Sequence, residues 1–385
     1  MSVSLDRIHI WIPSLFGSKG GIQVYSAYLL DALQRFLPSA KYDVFLLHDK
    51  RCDQSNEYPP NVRFHFLGDL PLKVRNIVYA AQASYFAIVH KPNLIITTHL
   101  NLTPIAQRIK QIAGIPYWTS AHGTEAWGVT DVRRQASIQA ANLILSVSSY
   151  TRDRIVKEQA ISPQRIGLLP NTFDESRFTV DAKSTSLLRR YELRPDQPVI
   201  FTLGRLAKSE AYKGYDKVLL ALPAIRKVIP NVHYVLAGEG DDRPRIESLI
   251  QRMQLQDCVT LTGYIPESEL AAHYNLCDVF AMPSKGEGFG IVYLEAMACG
   301  KPVLGGNQDG AIDALCDGQL GALVSPDNIQ EIASTIVEII KGTYPNTLIY
   351  QPEALRQEVV QTFGFKRFQN TLSEYLKNSF SIAQT

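Results

Sequence analysis

The amino-acid sequence predicts an α/β protein of two domains, each a parallel sheet with helices on both faces. Three observations carry that expectation. Short apolar runs alternate with longer stretches of helical periodicity along most of the chain, the pattern of strand–helix–strand crossovers. Glycine turns recur between a strand and the next helix, at Gly20-Gly21, Gly204, Gly238, Gly286 to Gly290 and Gly305-Gly306. At 385 residues the chain is long enough for two domains that each bury a core.

Composition narrows the function classes. A chain 45% hydrophobic and 20% charged is a soluble globular mixture. No apolar run reaches the roughly 18 residues of a membrane span, and the longest, Ile77 to Val89, is broken by Gln82 and Ser84. The start runs directly into a strand pattern without the regions of a signal peptide. Five cysteines, at 52, 258, 277, 299 and 316, make no Cys-x-x-Cys pair, so a reducing cytoplasm is the expected compartment. The net charge is +2, but residues 1–180 carry 19 Lys+Arg against 13 Asp+Glu and the remainder 20 against 24. A first half of +6 can face an anionic membrane or acceptor, or can be an ordinary solvated surface. No dense basic run interleaved with aromatics is present, so nucleic acid is not an expected partner.

In order, Arg7 to Ile12 alternates as a buried strand and Ile22 to Phe36 is an amphipathic helix, with Gly20-Gly21 where the helix amides are free to meet a phosphate or an acceptor. The dinucleotide fingerprint G-x-G-x-x-G is absent, which counts against a dehydrogenase. Strands are expected near 42–48, 62–67, 94–98, 116–121 and 143–147, with helices near 74–89, 104–112 and 150–159. His122 and Glu125 follow one of these strands, at the carboxyl-end side where parallel sheets bind ligands. Taken alone, a histidine in the place of His122 is more often a helix cap or a packed loop residue. Residues 179–198, charged and of low complexity, read as a linker.

The second half opens on the strand Val199 to Leu203 and runs into Gly204-Arg205, then Lys213-Gly214. An Arg fork and a Lys point charge there can grip one diphosphate, with Lys208 a competing lysine. Strands follow at 233–237 and 259–262, ending in Gly238 and in Gly263-Tyr264-Ile265, with a helix at 243–253 between them. A strand and glycine turn at 303–306 lead to Asp309 and Asp313, to which the sequence assigns no role. Helices near 329–340 and 365–375 finish the chain.

The densest signal is Ser284 to Gly300. After a strand at 278–282, glycines at 286, 288 and 290 form a loop, and an almost wholly apolar run then reads as a buried helix whose only charge is Glu295. A carboxylate in such a helix is costly unless it meets a partner or a ligand. Glu287 stands eight residues earlier, in the loop. Glycines admit close backbone approach, and the first free amides of the helix face an anion, so the arrangement suits a sugar joined to a diphosphate. The same residues also admit a plain turn with a solvated Glu287 and a lysine-paired Glu295.

Glu287-Gly-Phe-Gly through Glu295 resembles the E-x7-E signature of retaining glycosyltransferase family 4, and Cys277 to Ser284 and Glu295 to Val303 fit that family too. The resemblance implies the GT-B fold: two Rossmann-like domains facing a central cleft, with the C-terminal helix packing back on the first. On this reading 1–178 is an acceptor-binding domain, 179–363 a nucleotide-sugar-binding domain and 364–385 the returning helix; Leu169 to Phe178 resembles the family's inter-domain segment, with Thr172 where glycine is usual. It further implies that Arg205 and Lys213 hold the donor phosphates with the amides of Ile291 and Val292. Glu295 would hold ribose, and Glu287 with the amides of Phe289 and Gly290 the donor sugar. Gly288 belongs to that loop, Gly238, Tyr264 and Ile265 flank the nucleobase, Gly20 and Gly21 lie near phosphates and acceptor, and His122 contacts the sugar. The implied reaction is metal-independent transfer, with retention, from a UDP- or GDP-sugar to a glycan, lipid-linked or small-molecule acceptor. No Asp-x-Asp pair offers metal ligands, and no cofactor is expected. A cytoplasmic protein is the expected setting, and residues 72–86 read either as a peripheral contact with the inner membrane face or as a covered core helix. A sugar-nucleotide epimerase, a phosphorylase or a non-catalytic binding homologue can share the architecture.

Overall fold

The computed structural model describes residues 5–17 and 20–380, which form two compact units: the residues up to Thr172 together with the last helix, and Phe173–Gly364. Residues 1–4 of the chain start, and 18 and 19 of the first glycine loop, lie outside the described residues.

The first unit runs β1 (Arg7–Ile12), α1 (Gly21–Phe36), β2 (Lys41–Leu46), β3 (Val62–Phe66), α2 (Leu72–His90), β4 (Leu94–Thr97), α3 (Thr103–Ala113), β5 (Tyr117–Ala121), α4 (Val132–Ala140), β6 (Leu143–Ser146), α5 (Ser149–Gln159) and β7 (Ile166–Leu168). Its strands pair in parallel in the order β3-β2-β1-β4-β5-β6-β7. The second unit runs α6 (Thr185–Arg190), β8 (Val199–Leu203), α7 (Tyr215–Val228), β9 (His233–Ala237), α8 (Arg243–Arg252), β10 (Val259–Gly263), α9 (Glu267–Leu276), β11 (Val279–Met282), α10 (Ile291–Ala298), β12 (Val303–Gly306), α11 (Ala311–Ala314), β13 (Ala322–Val324), α12 (Ile329–Lys341) and α13 (Pro352–Phe363). Its parallel order is β10-β9-β8-β11-β12-β13.

Each sheet therefore starts in its middle, grows one way for three strands and then crosses to the other side. That reversal leaves a crevice at the carboxyl ends of β1 and β4, and another at those of β8 and β11. Strands covered on both faces have no solvated side, which is why β8, β9 and β11 read as continuous apolar runs. Their helices are amphipathic: α12 turns Ile332, Ile336 and Ile339 onto the core that Val218, Leu222, Leu236 and Leu304 also fill.

The strands at 7–12, 199–203 and 233–237 begin and end where the sequence places them. Residues 179–198 do not form a plain linker. They contain α6, which buries Leu187 and Leu188 and is tied to α9 by Arg190, bidentate on Glu269 at 2.6 and 3.0 Å. Lys183 Nζ lies 2.7 Å from Asp278 Oδ2. A helix of six residues offers too few turns for its apolar period to stand out among the surrounding charges. The division into units falls at Thr172/Phe173 and Gly364/Phe365, and Phe173 and Gly364 pair in a parallel bridge. Among the described residues, no helix is long and apolar enough to cross a membrane.

After α13 the chain returns to the first unit as α14 (Phe365–Phe380), which lies against α1. Phe365 packs on Tyr28 and Phe368 on Tyr25, with ring centroids 5.9 and 5.7 Å apart. Tyr375 Oη donates to Leu168 O at 3.1 Å, and its ring covers Gly167 so closely that a Cβ there would stand 2.6 Å from the ring. Gly167→Ala is therefore expected to destabilise the protein by about 1–3 kcal/mol through overpacking, and Tyr375→Phe by about 1 kcal/mol through the lost hydrogen bond. Urea unfolding of the two variants checks this; an unchanged midpoint for Gly167→Ala would mean that the helix is not seated there.

Candidate active site

In the second unit the loops after β8 and β11 flank the strand-order reversal, and both carry charge. The β11 loop is shaped by a buried carboxylate. Asp309 Oδ2 accepts from Ser284 Oγ at 2.7 Å and from the Glu287 amide at 2.8 Å, while its Oδ1 accepts from the Ala311 amide at 2.9 Å. The Gly310 amide returns a bond to Glu287 O at 2.8 Å. Burial pushes the Asp309 carboxyl up to about 6, against the opposing effect of these donors. Below them Tyr293 Oη, 3.0 Å from Ser284 Oγ, donates to Met282 O at 2.8 Å. Gly290 then opens α10 at a φ of 90°, where a Cβ would meet the Tyr293 ring at 2.5 Å, so glycine is required both by conformation and by space. The amides of Ile291 and Val292 lie in the first turn of this helix, where intrahelical acceptors are lacking.

The β8 loop supplies the cations. Arg205 is exposed, its Nε 3.2 Å from Glu210 Oε1. Glu210 lies in a 3₁₀ turn, Lys208–Lys213, whose last residue turns Nζ onto Glu287 Oε1 and lies 3.7 Å from Glu210 Oε2. Burial disfavours the charge on Lys213, but the adjoining Glu287 carboxylate outweighs it and raises the lysine pKa. Arg205, Glu210, Lys213 and Glu287 thus form one chain of alternating charge. Lys208 stays exposed, joined to its surroundings through its amide on Asp241. The longer gap between Arg205 and Lys213 is the turn that brings Glu210 between them.

Glu295 is held differently. Tyr274 Oη, from α9, donates to its Oε2 at 2.6 Å, and burial raises the Glu295 pKa despite that bond and the nearby Arg177. Tyr274 is itself fixed among Phe178, Phe201 and Phe280. The structure thus joins three of the four charged residues singled out in the sequence and gives the fourth a tyrosine where a lysine was the alternative. Phe289 is buried against Phe363, its ring centroid 5.4 Å away. Gly238 follows β9 and donates to Gly263 O at 2.9 Å; beyond Gly263, Tyr264 is 69% exposed and Ile265 is buried.

In the first unit Gly20 caps α1, accepting from the Val24 amide, and Gly21 is the first helical residue. The loop before them hangs on Asp49, which accepts from Ser14 Oγ and from the amides of Leu15 and Phe16. His122 follows β5. Its Nε2 donates to Thr98 O at 2.9 Å and its ring stands edge-on to Tyr25 at 4.7 Å, so Nδ1 remains as the acceptor. Glu125 accepts from the His122 amide and positions the loop.

Sequence reasoning missed Glu210, Tyr274, Asp49 and Asp309. Asp309 had one signal, an acid just beyond a strand-end Gly-Gly; Glu210 acts locally, within the turn that separates Arg205 from Lys213, and Tyr274 and Asp49 act across the fold and carry no signal.

Burial lowers the His122 pKa to about 4, so the folded state binds fewer protons than the unfolded chain between pH 4 and 6.5. Its contribution is full above pH 6.5 and is lost as pH falls toward 4. The expected loss is on the order of 2–3 kcal/mol, and His122→Asn should flatten the stability profile across that window. Urea unfolding at pH 7.0, 5.5 and 4.5 tests it, and parallel profiles for the two proteins would refute it.

The model for glycosyl transferases group 1 matches residues 184–378, half of the chain, and that for glycosyltransferase family 4 matches 19–177. A GDP-mannose-dependent alpha-(1-6)-phosphatidylinositol monomannoside mannosyltransferase of Mycolicibacterium smegmatis is 34% identical over 234 residues, 57% of this chain and 60% of that protein. The chain thus spans less than two thirds of the length of that relative. Among solved structures, a sucrose-phosphate synthase of Thermosynechococcus elongatus superposes with a TM-score of 0.80 at 22% identity, over 97% of this chain and 99% of that one. The Anabaena protein HepE, solved in complex with UDP-glucose, gives 0.79 at 21%, over 96% and 99%. With both sheets ordered alike, the fold is GT-B, and by sequence the chain belongs to the glycosyl transferases group 1.

Proposed function

We propose that the protein is a retaining glycosyltransferase that moves a sugar from a UDP- or GDP-sugar to a glycan, lipid-linked or small-molecule acceptor without an essential metal. The observation that carries this reading is the charge chain from Arg205 to Glu287, beside the free amides of α10 at a strand-order reversal.

Transfer breaks the bond from the anomeric carbon to the β-phosphate oxygen and forms one to the acceptor oxygen, with negative charge building on the diphosphate. Lys213, Arg205 and the amides of Ile291 and Val292 stabilise that charge together with the helix dipole. Glu287, with the amides of Phe289 and Gly290, holds donor-sugar hydroxyls. The Glu295 oxygen not engaged by Tyr274 accepts from ribose hydroxyls. Gly238, Tyr264 and Ile265 border the base, Gly20, Gly21 and Gly288 bring backbone close to the donor, and the neutral His122 accepts from a sugar hydroxyl. Attack on the face from which the diphosphate leaves retains configuration, and the leaving phosphate oxygen takes the acceptor's proton.

Activity on a panel of UDP- and GDP-sugars should be equal with or without added Mg²⁺. Glu295→Ala should abolish the thermal stabilisation given by the matching nucleoside diphosphate. Glu287→Gln should keep that stabilisation and lower turnover by about 100-fold or more. Full activity in both variants would remove the assignment, and binding without turnover on any acceptor would mark a non-catalytic homologue.

A membrane contact rests on α2, where Leu72, Ile77, Tyr85 and Val89 are exposed beside Lys73. Arg75 is spent on Gly68 O and Leu70 O, and Tyr79 faces inward. Co-sedimentation with anionic vesicles should fall at least tenfold in the double variant Leu72→Asp, Ile77→Asp; equal sedimentation would exclude this face.

A further inference from the structure

Three histidines and an aspartate meet within the first sheet, on strand interiors of β1, β2 and β3 and at the end of α2, apart from the loops that carry Gly20 and His122. His9 lies in β1 opposite Asp43 in β2, His65 lies in β3, and His90 closes α2. His9 Nε2 is 3.4 Å and His90 Nδ1 3.2 Å from the same oxygen, Asp43 Oδ2. His65 Nε2 bonds the other oxygen, Oδ1, at 3.0 Å. Apolar rings fix the imidazoles: Phe45 stacks on His65 at 4.3 Å, and Phe86 stands 4.6 Å from His65 and 5.0 Å from His90.

His9 is the anomaly. It is fully buried, Nδ1 has no partner and Nε2 meets only Asp43 Oδ2, at 3.4 Å and short of hydrogen-bond geometry, although a neutral imidazole needs one donor and one acceptor satisfied. We propose that His9, Asp43 and His90 are the ligands of a divalent transition-metal ion of the zinc class, with His65 orienting the carboxylate.

The spacing supports it. Bonds of about 2.0 Å in a tetrahedral shell put neighbouring donor atoms about 3.3 Å apart, and the two separations from Asp43 Oδ2 are 3.4 and 3.2 Å. One donor atom from each of the three residues falls within 4.8 Å of the others. Two imidazoles and one carboxylate favour zinc, copper or nickel over magnesium or calcium. A histidine on the free oxygen of a ligating carboxylate is the usual outer-shell support. Arg7 is the competitor: its Nη1 lies 3.1 Å from Asp43 Oδ2. Its side chain is partly exposed and can swing into solvent, which opens an entry path and a fourth position for water. Set in strand interiors away from the glycine loops, the ion would tie β1 and β2 to the end of α2 and take no part in transfer. This inference is independent of the proposed reaction.

The full-length protein, stripped with EDTA and desalted, is titrated with Zn²⁺ by calorimetry and, separately, with Co²⁺ followed by visible absorption. One equivalent should bind, the Co²⁺ protein should show tetrahedral-type bands, and saturating Zn²⁺ should raise the melting temperature by on the order of 5 °C. His90→Gln, at the exposed edge of the cluster and thus tolerable to the fold, should lose the equivalent and the bands. His65→Gln should weaken binding about 10–100-fold without abolishing it. Failure of the wild-type protein to bind, or an equivalent retained at the same affinity in His90→Gln, would overturn the proposal.

Discussion

The reversal of strand order between β8 and β11 is the constraint on which the rest of the second unit depends. Neighbouring parallel strands whose connections leave in opposite directions cannot close the space above their carboxyl ends, so two loops distant in sequence face one crevice. That geometry lets the Gly204–Gly214 and Ser284–Gly290 segments share an ion pair. It also explains why Arg205, Lys213 and Glu287 sit in loops while the strands beneath them are largely apolar: the strands fix position, and the loops meet water.

The Lys213–Glu287 pair has a consequence of its own. Both side chains are largely withdrawn from water, where an unpaired charge costs several kcal/mol. The Glu287 carboxylate therefore holds Lys213 in its charged form, and Glu210 extends the pairing to the exposed Arg205. In the proposed reading a diphosphate entering the crevice would meet cations already oriented by carboxylates, so little side-chain ordering would be left to the binding step. It must, however, share Lys213 with Glu287, which makes Glu287 a regulator of that lysine's charge as well as a hydrogen-bonding group.

Much of the fold was legible because buried parallel strands leave uninterrupted apolar runs, as at Ile200, Phe201, Val235 and Leu236. The glycine loops were legible because few other residues fit them. Short elements were not: α6 has two buried leucines and β13 three residues, too little for a period to emerge. Within the candidate site, the sequence marked groups whose chemistry is unusual for their place, such as Glu295 in an apolar helix. It could not mark Tyr274, one tyrosine among eighteen, whose role is set by the packing of α9 against α10. Lys213 stood out from Lys208 only once the 3₁₀ turn had aimed one side chain inward.

Glu295 shows why such a residue is kept in a helix that would be more stable without it. A leucine there would bury cleanly, whereas the carboxyl is desolvated and answered by one tyrosine hydroxyl. One such bond satisfies one oxygen. In the proposed reading a group carrying adjacent hydroxyls supplies donors to the second oxygen, which the tyrosine leaves unengaged. On that reading the desolvation cost at this position is offset when ligand binds, the relation expected where a carboxylate serves a ligand and not the core.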